Sequence, residues 1–112
     1  MKYLKPYKQP KPQLGDYVIC EESIGLTDSD QLCTKFTKSN IGQCIFINQF
    51  VEYYIQYQNV PKELKIYFCN GKEKIFKEKK PNTRKMYKEE IIYWSPNKED
   101  VEIYINTIKY NL

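Results

Sequence analysis

Three short segments of the chain carry the clearest hydrophobic patterns, and each is bounded by glycine or by polar residues. They are Asp16–Cys20, Gly42–Ile47 and Val51–Gln58. Apolar runs of this length between turn residues are typical of β-strands. Asn48 and Gln49 lie between the last two segments, as in a hairpin. The pattern therefore predicts three consecutive strands, of which the second and third are paired.

The third strand alternates regularly, which assigns its side chains to two faces. The face predicted to be buried carries Val51, Tyr53, Ile55 and Tyr57. The opposite, more polar face carries Glu52, Tyr54, Gln56 and Gln58. Because side chains alternate with a period of two, a shift of one residue would exchange the two sets.

A short helix is predicted as an insertion between the first two strands. Thr27 and Asp30 have the spacing of an N-terminal capping box, in which a side-chain oxygen accepts a hydrogen bond from a free backbone N–H. The helix is expected to run to about Lys38 and to stop at the polar pair that follows. Leu32 and Phe36, four residues apart, are predicted to share its buried side.

The C-terminal region carries the strongest helix signal. Ser95 as the N-cap and Pro96 at the first helical position predict a helix over residues 96–109. Glu99 and Asp100 stand in the first turn, where the helix dipole favours acidic groups. The predicted buried stripe consists of Val101, Tyr104, Ile105 and Ile108.

The stretch between the third strand and this helix contains several turn signals. Residues 65–69 are compatible with a short strand or a helical turn. Asn70 and Gly71 form a strong type I′ turn signal, after which residues 75–76 are predicted to supply the return strand of a hairpin. A last strand is predicted at about residues 89–94.

The length and composition of the chain limit the classes of protein to which it can belong. The 112 residues are the size of one domain, and 41% of them are hydrophobic. Residues 1–14 hold four lysines and three prolines and are expected to form an extended or disordered basic tail, ahead of a single domain over residues 15–112. Met1–Pro6 lacks the apolar core of a signal peptide. We therefore expect a cytoplasmic protein.

The residue types of the chain give little support for an enzymatic function. The chain has no histidine to act as a general base or metal ligand. The four cysteines show no C-x-x-C spacing, and Cys20 and Cys44 are best interpreted as small apolar strand residues. Two disulfides, a four-thiolate zinc site and a Cys–Lys nucleophile are the alternatives. We expect a non-enzymatic protein without a cofactor or metal.

Tyrosine supplies 11 residues and suggests a binding surface. Tyrosine and tryptophan are favoured interface anchors, and a protein partner, including a second copy of the chain, is the preferred hypothesis. The residues predicted to form an aromatic groove are Tyr54, Tyr67, Tyr87 and Tyr93. The alternative, that these rings cover a thin core, is open at this point.

A basic segment offers a second function, the weak and sequence-tolerant binding of nucleic acid. Residues 72–88 carry a cation-rich run interleaved with Phe76 and Tyr87. Its cations are Lys72, Lys74, Lys77, Lys79, Lys80, Arg84, Lys85 and Lys88. The alternatives are a solvated hairpin without a ligand and, as a third function, a small-ligand-binding or sequestering protein.

The strand segments Gly15–Cys20, Ile41–Ile47 and Tyr53–Tyr57, closed by Glu90–Trp94, resemble the SH3-like barrel superfold. Translation-factor (KOW) and Tudor-like modules show the same Gly-Asp and Ile-Gly strand openings. The resemblance implies a mainly β protein with α elements: a small SH3-like barrel with a short helical insertion and a C-terminal helix. The whole chain, with Met1–Lys5 at its start and Glu90–Ile105 at its end, also looks like small accessory proteins of tailed phages. This resemblance implies an accessory or virion-associated role and a location in the host cytoplasm or the virion.

Overall fold

The computed structural model describes residues 10–22 and 27–110. Residues 1–9 of the predicted basic tail lie outside the described residues. Within the described part of the tail, Pro12 is buried. The backbone N–H of Gln13 donates a 2.8 Å hydrogen bond to the carboxylate of Asp16, which leads into the first strand.

Five strands and two α-helices form the fold. The strands are β1 (Tyr17–Cys20), β2 (Gly42–Ile47), β3 (Tyr53–Tyr57), β4 (Thr83–Met86) and β5 (Ile91–Ser95). The helices are α1 (Asp28–Ser39) and α2 (Lys98–Tyr110), and three short 3-10 helices cover Lys62–Tyr67, Asn70–Lys72 and Lys88–Glu90. Neither described helix is long and apolar enough to span a bilayer.

The strands form one antiparallel sheet in the order β4-β3-β2-β1-β5. The fold is therefore a mixed α/β domain, in which a five-stranded antiparallel sheet carries a C-terminal helix, as the sequence predicts in outline. The sheet is open, because β4 and β5 lie at its two edges and, among the described residues, do not pair with each other. The predicted closure into a barrel is thus not seen in the strand pairing.

The main core lies on the face of the sheet covered by α1 and the first 3-10 helix. Tyr53, Ile55 and Tyr57 point into it and are at most 2% exposed, which confirms the predicted register of β3. Phe36 of α1 and Phe68 pack edge-on against Tyr57, and the three ring centroids are 5.6 Å apart pairwise. This arrangement is the preferred geometry of packed aromatic rings.

Helix α1 begins where its sequence predicts, and its predicted buried side is confirmed only in part. The hydroxyl of Thr27 accepts a hydrogen bond from the Asp30 N–H at 3.1 Å, which is the predicted cap. Of the two residues predicted on the buried side, Phe36 packs against the core, whereas Leu32 is 52% exposed. Cys33 and Thr37 are buried beside Phe36, and small side chains at these two positions let the helix approach the sheet closely.

Strand β3 is shorter than predicted, and its outer face is not simply polar. Val51 lies in the β2–β3 loop, is 47% exposed and has a φ of 59°. Tyr54, predicted on the exposed face, does point away from Tyr53 and Ile55 but is only 2% exposed. A second layer of aromatic residues covers it.

The region after residue 68 departs furthest from prediction. Asn70 and Gly71 form a 3-10 turn rather than a hairpin turn, and residues 75–76 are not in a strand. Gly71 packs backbone to backbone against Lys80, where a Cβ atom would overlap the Lys80 carbonyl. The strand that pairs with β3 is instead β4, and the polar sequence of β4 gives no strand signal.

Helix α2 starts two residues later than predicted and buries a narrower stripe. The Ser95 hydroxyl accepts from the Asn97 N–H at 3.1 Å, so the residues after Ser95 form a turn before the helix. Val101 is fully buried, whereas Ile108 is 42% exposed. Tyr104 stacks on Tyr93 of β5 with centroids 4.2 Å apart, which fixes α2 beside the β1–β5 edge.

One ion pair joins distant parts of the fold. The guanidinium of Arg84 on β4 donates two 2.7 Å hydrogen bonds to the carboxylate of Glu22, just after β1. It donates a third, of 2.6 Å, to the Tyr67 carbonyl and lies 5.5 Å from the Phe68 ring centroid. Burial alone would lower the pKa of Arg84, but the hydrogen bonds and the charge of Glu22 outweigh it and raise that pKa.

We predict that Glu22→Gln lowers the free energy of unfolding by about 2–4 kcal/mol, because it leaves a largely buried guanidinium without its counter-charge. The matched control is Glu21→Gln, whose pair with Lys38 spans 3.6 Å and is about half exposed, so its effect should stay below about 1 kcal/mol. Urea denaturation at neutral pH measures both. Equal, small losses would show that the Arg84 pair does not stabilise the fold.

Candidate functional site

An aromatic layer on the outer face of the sheet forms the floor of an open cleft. The rings of Phe46, Tyr54 and Phe76 pack edge-on in a triangle with centroids 5.5–5.6 Å apart. Phe46 and Tyr54 are cross-strand neighbours on β2 and β3, and Phe76 reaches them from the irregular segment before β4. We call the recess above this layer the aromatic cleft, and its volume is about 640 Å³.

The β2–β3 loop forms one wall of the aromatic cleft, and a single side chain organises it. The amide oxygen of Asn48 accepts hydrogen bonds from the N–H groups of Phe50 and Glu52, both at 3.0 Å. These bonds pair two backbone N–H groups of the turn. Val51 adopts a left-handed backbone conformation, which β-branched residues rarely adopt. The loop holds the Phe50 ring in solvent, where it is 73% exposed.

The cleft combines this apolar surface with fixed polar groups. Glu52 accepts a 2.8 Å hydrogen bond from the Asn48 amide and lies 3.7 Å from the ammonium of Lys85. The Tyr54 hydroxyl donates a 2.7 Å hydrogen bond to Glu73. Ile75, which also lines the cleft, is 45% exposed.

The floor of the cleft is not a proton-transfer site at neutral pH. Burial, and then the hydrogen bond to the Glu73 carboxylate, raise the pKa of Tyr54 to about 12. The hydroxyl therefore remains protonated and acts as a fixed donor to Glu73. What the cleft can do chemically is to bury an apolar group between Phe50 and Ile75 while its polar rim orients the ligand.

The four tyrosines predicted as a groove do not come together around this cleft. Tyr54 lines it, as a buried floor residue rather than an exposed anchor. Tyr67 lies on the first 3-10 helix, Tyr87 follows β4 and is 53% exposed, and Tyr93 stacks under α2. The ring of Phe76 covers Tyr54, and the other three tyrosines lie on separate secondary-structure elements.

The predicted basic segment divides into engaged and exposed cations. Arg84 is committed to Glu22, Lys85 lies beside Glu52, and the Lys88 ammonium sits 5.7 Å from the Trp94 ring centroid. Lys80 is half-buried. Lys88 is itself exposed, and the exposed cations of the segment without such a contact are Lys72, Lys74, Lys77 and Lys79.

Sequence patterns miss most of the residues that shape the cleft. Phe46, Glu73 and Ile75 meet only because β4 returns the chain to β3. Phe50 is detectable, since it is an aromatic residue between the predicted turn at Asn48 and Gln49 and the predicted strand from Val51, where polar residues are the rule. An aromatic residue beside a predicted turn calls for a partner or a function.

The thiols are free and three of them are inert by burial. Cys20, Cys33 and Cys44 are buried in the main core, and Cys69 is exposed, which confirms the interpretation of Cys20 and Cys44 as apolar strand residues. Burial raises the pKa of Cys20 to about 12 and that of Cys44 to about 11. Among the described residues, no group of three or more acids and cysteines is placed to hold a metal ion.

Tyr57 brings one unusual polar group into the same core. Its hydroxyl is fully buried and, within residues 10–22 and 27–110, finds no partner of good hydrogen-bond geometry. The polar group beside it is the thiol of Cys20, which is a weak donor and acceptor. Burial raises the pKa of Tyr57 well above its usual value, so the pair stays neutral.

Comparisons with protein-family models, with curated proteins and with solved structures found no match for this chain. No relative therefore supplies a function. The side chains of the aromatic cleft and the exposed cations are what indicate one.

We predict that iodoacetamide at pH 8 alkylates Cys69 first and reaches Cys20, Cys33 and Cys44 only as the protein unfolds. The thiolate is the reacting form, and at pH 8 a thiol with a pKa of about 11 is ionised in roughly one molecule per thousand. Peptide mapping by mass spectrometry, with and without urea, measures the order. Cys69→Ser should abolish the fast modification, and native-state labelling of Cys44 at the rate of Cys69 would contradict the assignment.

Proposed function

We propose that this protein is a non-catalytic interaction module that binds a segment of another protein in the aromatic cleft. The observation that carries the proposal is that Phe50, 73% exposed, and Ile75, 45% exposed, line the same cleft above a floor of packed aromatic rings. Exposed apolar side chains grouped around a concave surface mark interaction sites. A partner side chain inserted between them would remove both from water.

The loop geometry supports the same proposal. The strained φ of Val51 and the two hydrogen bonds to Asn48 hold Phe50 outward at a cost in backbone energy. Strain of this kind clusters at binding sites. A folded protein without a ligand at this position would gain stability by turning Phe50 inward or by replacing it with a polar residue.

Polar groups around the cleft favour a peptide over an all-apolar ligand. The Glu52 carboxylate and the Lys85 ammonium lie on the rim, each only partly exposed. They can accept from and donate to a peptide backbone on either side of a buried anchor. The cleft volume also falls in the range of small-molecule pockets, so a small-ligand-binding or sequestering role is a further candidate.

The proposal also concerns the fold family of the protein and its biological role. The strand order sets the last strand beside the first, and a 3-10 helix precedes that last strand, an order that supports membership of the SH3-like superfold. Superfolds of this kind host many unrelated functions, so the fold alone selects no partner. An accessory or virion-associated role in a tailed phage stays a prediction from the resemblance of the sequence.

We predict that peptides selected by the protein from a random displayed library bind in the cleft and depend on Phe50. Phe50→Ser should weaken a selected peptide by about 30-fold or more, as expected for a central anchor, and should leave thermal stability unchanged because the ring is exposed. The matched control is Ile66→Ser, whose side chain is 70% exposed on the first 3-10 helix, away from the cleft. Equal affinity losses in both variants, or a peptide that binds Phe50→Ser as well as wild type, would refute the proposal.

The exposed cations favour a second function, a weak association with nucleic acid. Lys72, Lys74, Lys77 and Lys79 stand in solvent within one irregular segment, and exposed lysines bind phosphate without reading sequence. Arg84, predicted to contribute, is held by Glu22 and is not available.

We predict that replacing Lys74, Lys77 and Lys79 together by Gln weakens binding of an oligo(dT) and of a mixed-sequence single strand alike. The slope of log affinity against log salt should fall by about 0.7 for each phosphate of the single strand that the variant no longer neutralises. The control carries Lys35, Lys62 and Lys65 as Gln, which removes the same charge from other exposed positions. If the two triple variants behave alike, only net charge matters and this segment is not a binding site.

A further inference from the structure

A second recess, distinct from the aromatic cleft, lies at the other end of the same sheet face. It has a volume of about 340 Å³ and is lined largely by neutral amide side chains. We call it the carboxamide groove and define it by Tyr17, Asn40, Gln43, Gln56, Gln58 and Asn59. The C-terminal end of α1 and one face of α2 form its walls.

The floor of the carboxamide groove is a row of three cross-strand neighbours. Tyr17 on β1 pairs with Gln43 on β2, which in turn pairs with Gln56 on β3. Residues directly opposite in an antiparallel sheet project to the same face and lie close together. The row therefore sets one aromatic ring beside two amides.

The two glutamine amides are held in fixed orientations. Nε2 of Gln43 donates a 3.1 Å hydrogen bond to the Gly15 carbonyl, and Nε2 of Gln56 donates one of the same length to the Pro81 carbonyl. With one N–H of each amide bound to the backbone, the amide oxygens remain as acceptors, and no described residue donates to either one. A ligand in the groove therefore meets oriented acceptors, together with the amides of Gln58 and Asn59 on the rim.

The charge of the groove gives no net attraction to an ionic ligand. Its charged lining residues, within the described part of the chain, are Lys98 and Glu102 on α2. They stand one helical turn apart, carry opposite signs and are both exposed. Since the net charge of the lining is zero and its amides are neutral, the groove favours a neutral ligand rich in hydrogen-bonding groups.

An extended peptide fits the groove less well than a hydroxyl-rich ligand. β1, β2 and β3 are inner strands whose backbone groups face neighbouring strands on both sides, so a peptide cannot add to the sheet here. Apolar lining is limited to Ile41 and Ile105 beside the Tyr17 ring, too little for the buried anchors that protein interfaces use. Hydroxyl groups donate to amide oxygens and accept from amide N–H₂ groups, and an aromatic ring covers the C–H face of a sugar.

We propose that the carboxamide groove binds a neutral saccharide, with Gln43 and Gln56 accepting hydrogen bonds from ligand hydroxyls and Tyr17 packing against a sugar ring. The site is independent of the aromatic cleft and of the function proposed for it. Since the groove is shallow and open, the affinity expected is millimolar, which corresponds to about −4 kcal/mol.

The test uses the full chain labelled with nitrogen-15 and titrated with cellotetraose, maltotetraose and chitotetraose through the millimolar range. At least one of these saccharides should shift the side-chain amide resonances of Gln43 and Gln56 and the backbone signals around Tyr17. The shifts should be insensitive to salt, because no charge is neutralised. Inorganic phosphate, the anionic probe, should produce none of them.

Variants then separate the groove from the rest of the surface. Gln56→Ala should weaken the responding saccharide by about 3- to 10-fold, the effect of one hydrogen bond, whereas Gln31→Ala, at an exposed position on α1, should leave it unchanged. Phe50→Ser, in the aromatic cleft, should also leave it unchanged. The proposal is overturned if none of the three saccharides shifts the groove resonances of the wild-type protein, or if the shifts map to the aromatic cleft.

Discussion

The guanidinium group of Arg84 joins three parts of the chain that are remote in sequence: β4, the residues after β1 and the end of the first 3-10 helix. It binds both oxygens of Glu22 after β1, the carbonyl of Tyr67 and the ring of Phe68. The backbone N–H of Glu22 is in turn bound to the Thr34 hydroxyl of α1 at 2.8 Å. Arg84 is the one arginine in a chain rich in lysine, and a lysine could not supply this planar fork of donors.

The same pair also fixes the register of β4. Arg84 lies opposite Ile55, on the core side of β3, and Lys85 lies opposite Tyr54 on the outer side. A slip of one residue would carry the guanidinium out of the core and a lysine into it, so the ion pair selects a single register. With Arg84 tied to Glu22, Lys85 is necessarily placed beside Glu52 in the aromatic cleft.

Features determined by neighbouring residues could be predicted from the sequence, and features determined by distant contacts could not. The Thr27 cap and the whole of β2 follow from local patterns and are found as predicted. β4 has the sequence Thr-Arg-Lys-Met, which lacks alternation because its charges are satisfied by partners far along the chain. This segment forms a strand only because of these distant partners.

The candidate site shows the same division. The alternation of β3 correctly assigns Tyr54 to the face opposite Tyr53, but the burial of Tyr54 depends on Phe76, 22 positions further on. No pattern within β3 indicates that cover. Phe50 is the exception, because an aromatic residue directly beside the predicted turn at Asn48 and Gln49 is informative from the sequence alone.

The outer face of the sheet gives two recesses with opposite chemistry because different elements cover its parts. Helix α2 packs over the β1–β5 edge, and Phe76 covers the hairpin end of β2 and β3. Tyr54 and Gln56, two residues apart on β3, therefore belong to the aromatic cleft and the carboxamide groove respectively.

Both floors are already ordered by internal contacts. The ring of Tyr54 is fixed by its neighbours and by Glu73, and the amide of Gln56 is fixed by the Pro81 carbonyl. A ligand at either recess need not order these side chains, which removes part of the entropy loss that otherwise opposes binding. Because the sheet itself holds both floors, occupation of one recess has no structural reason to change the other, and the two are expected to bind independently.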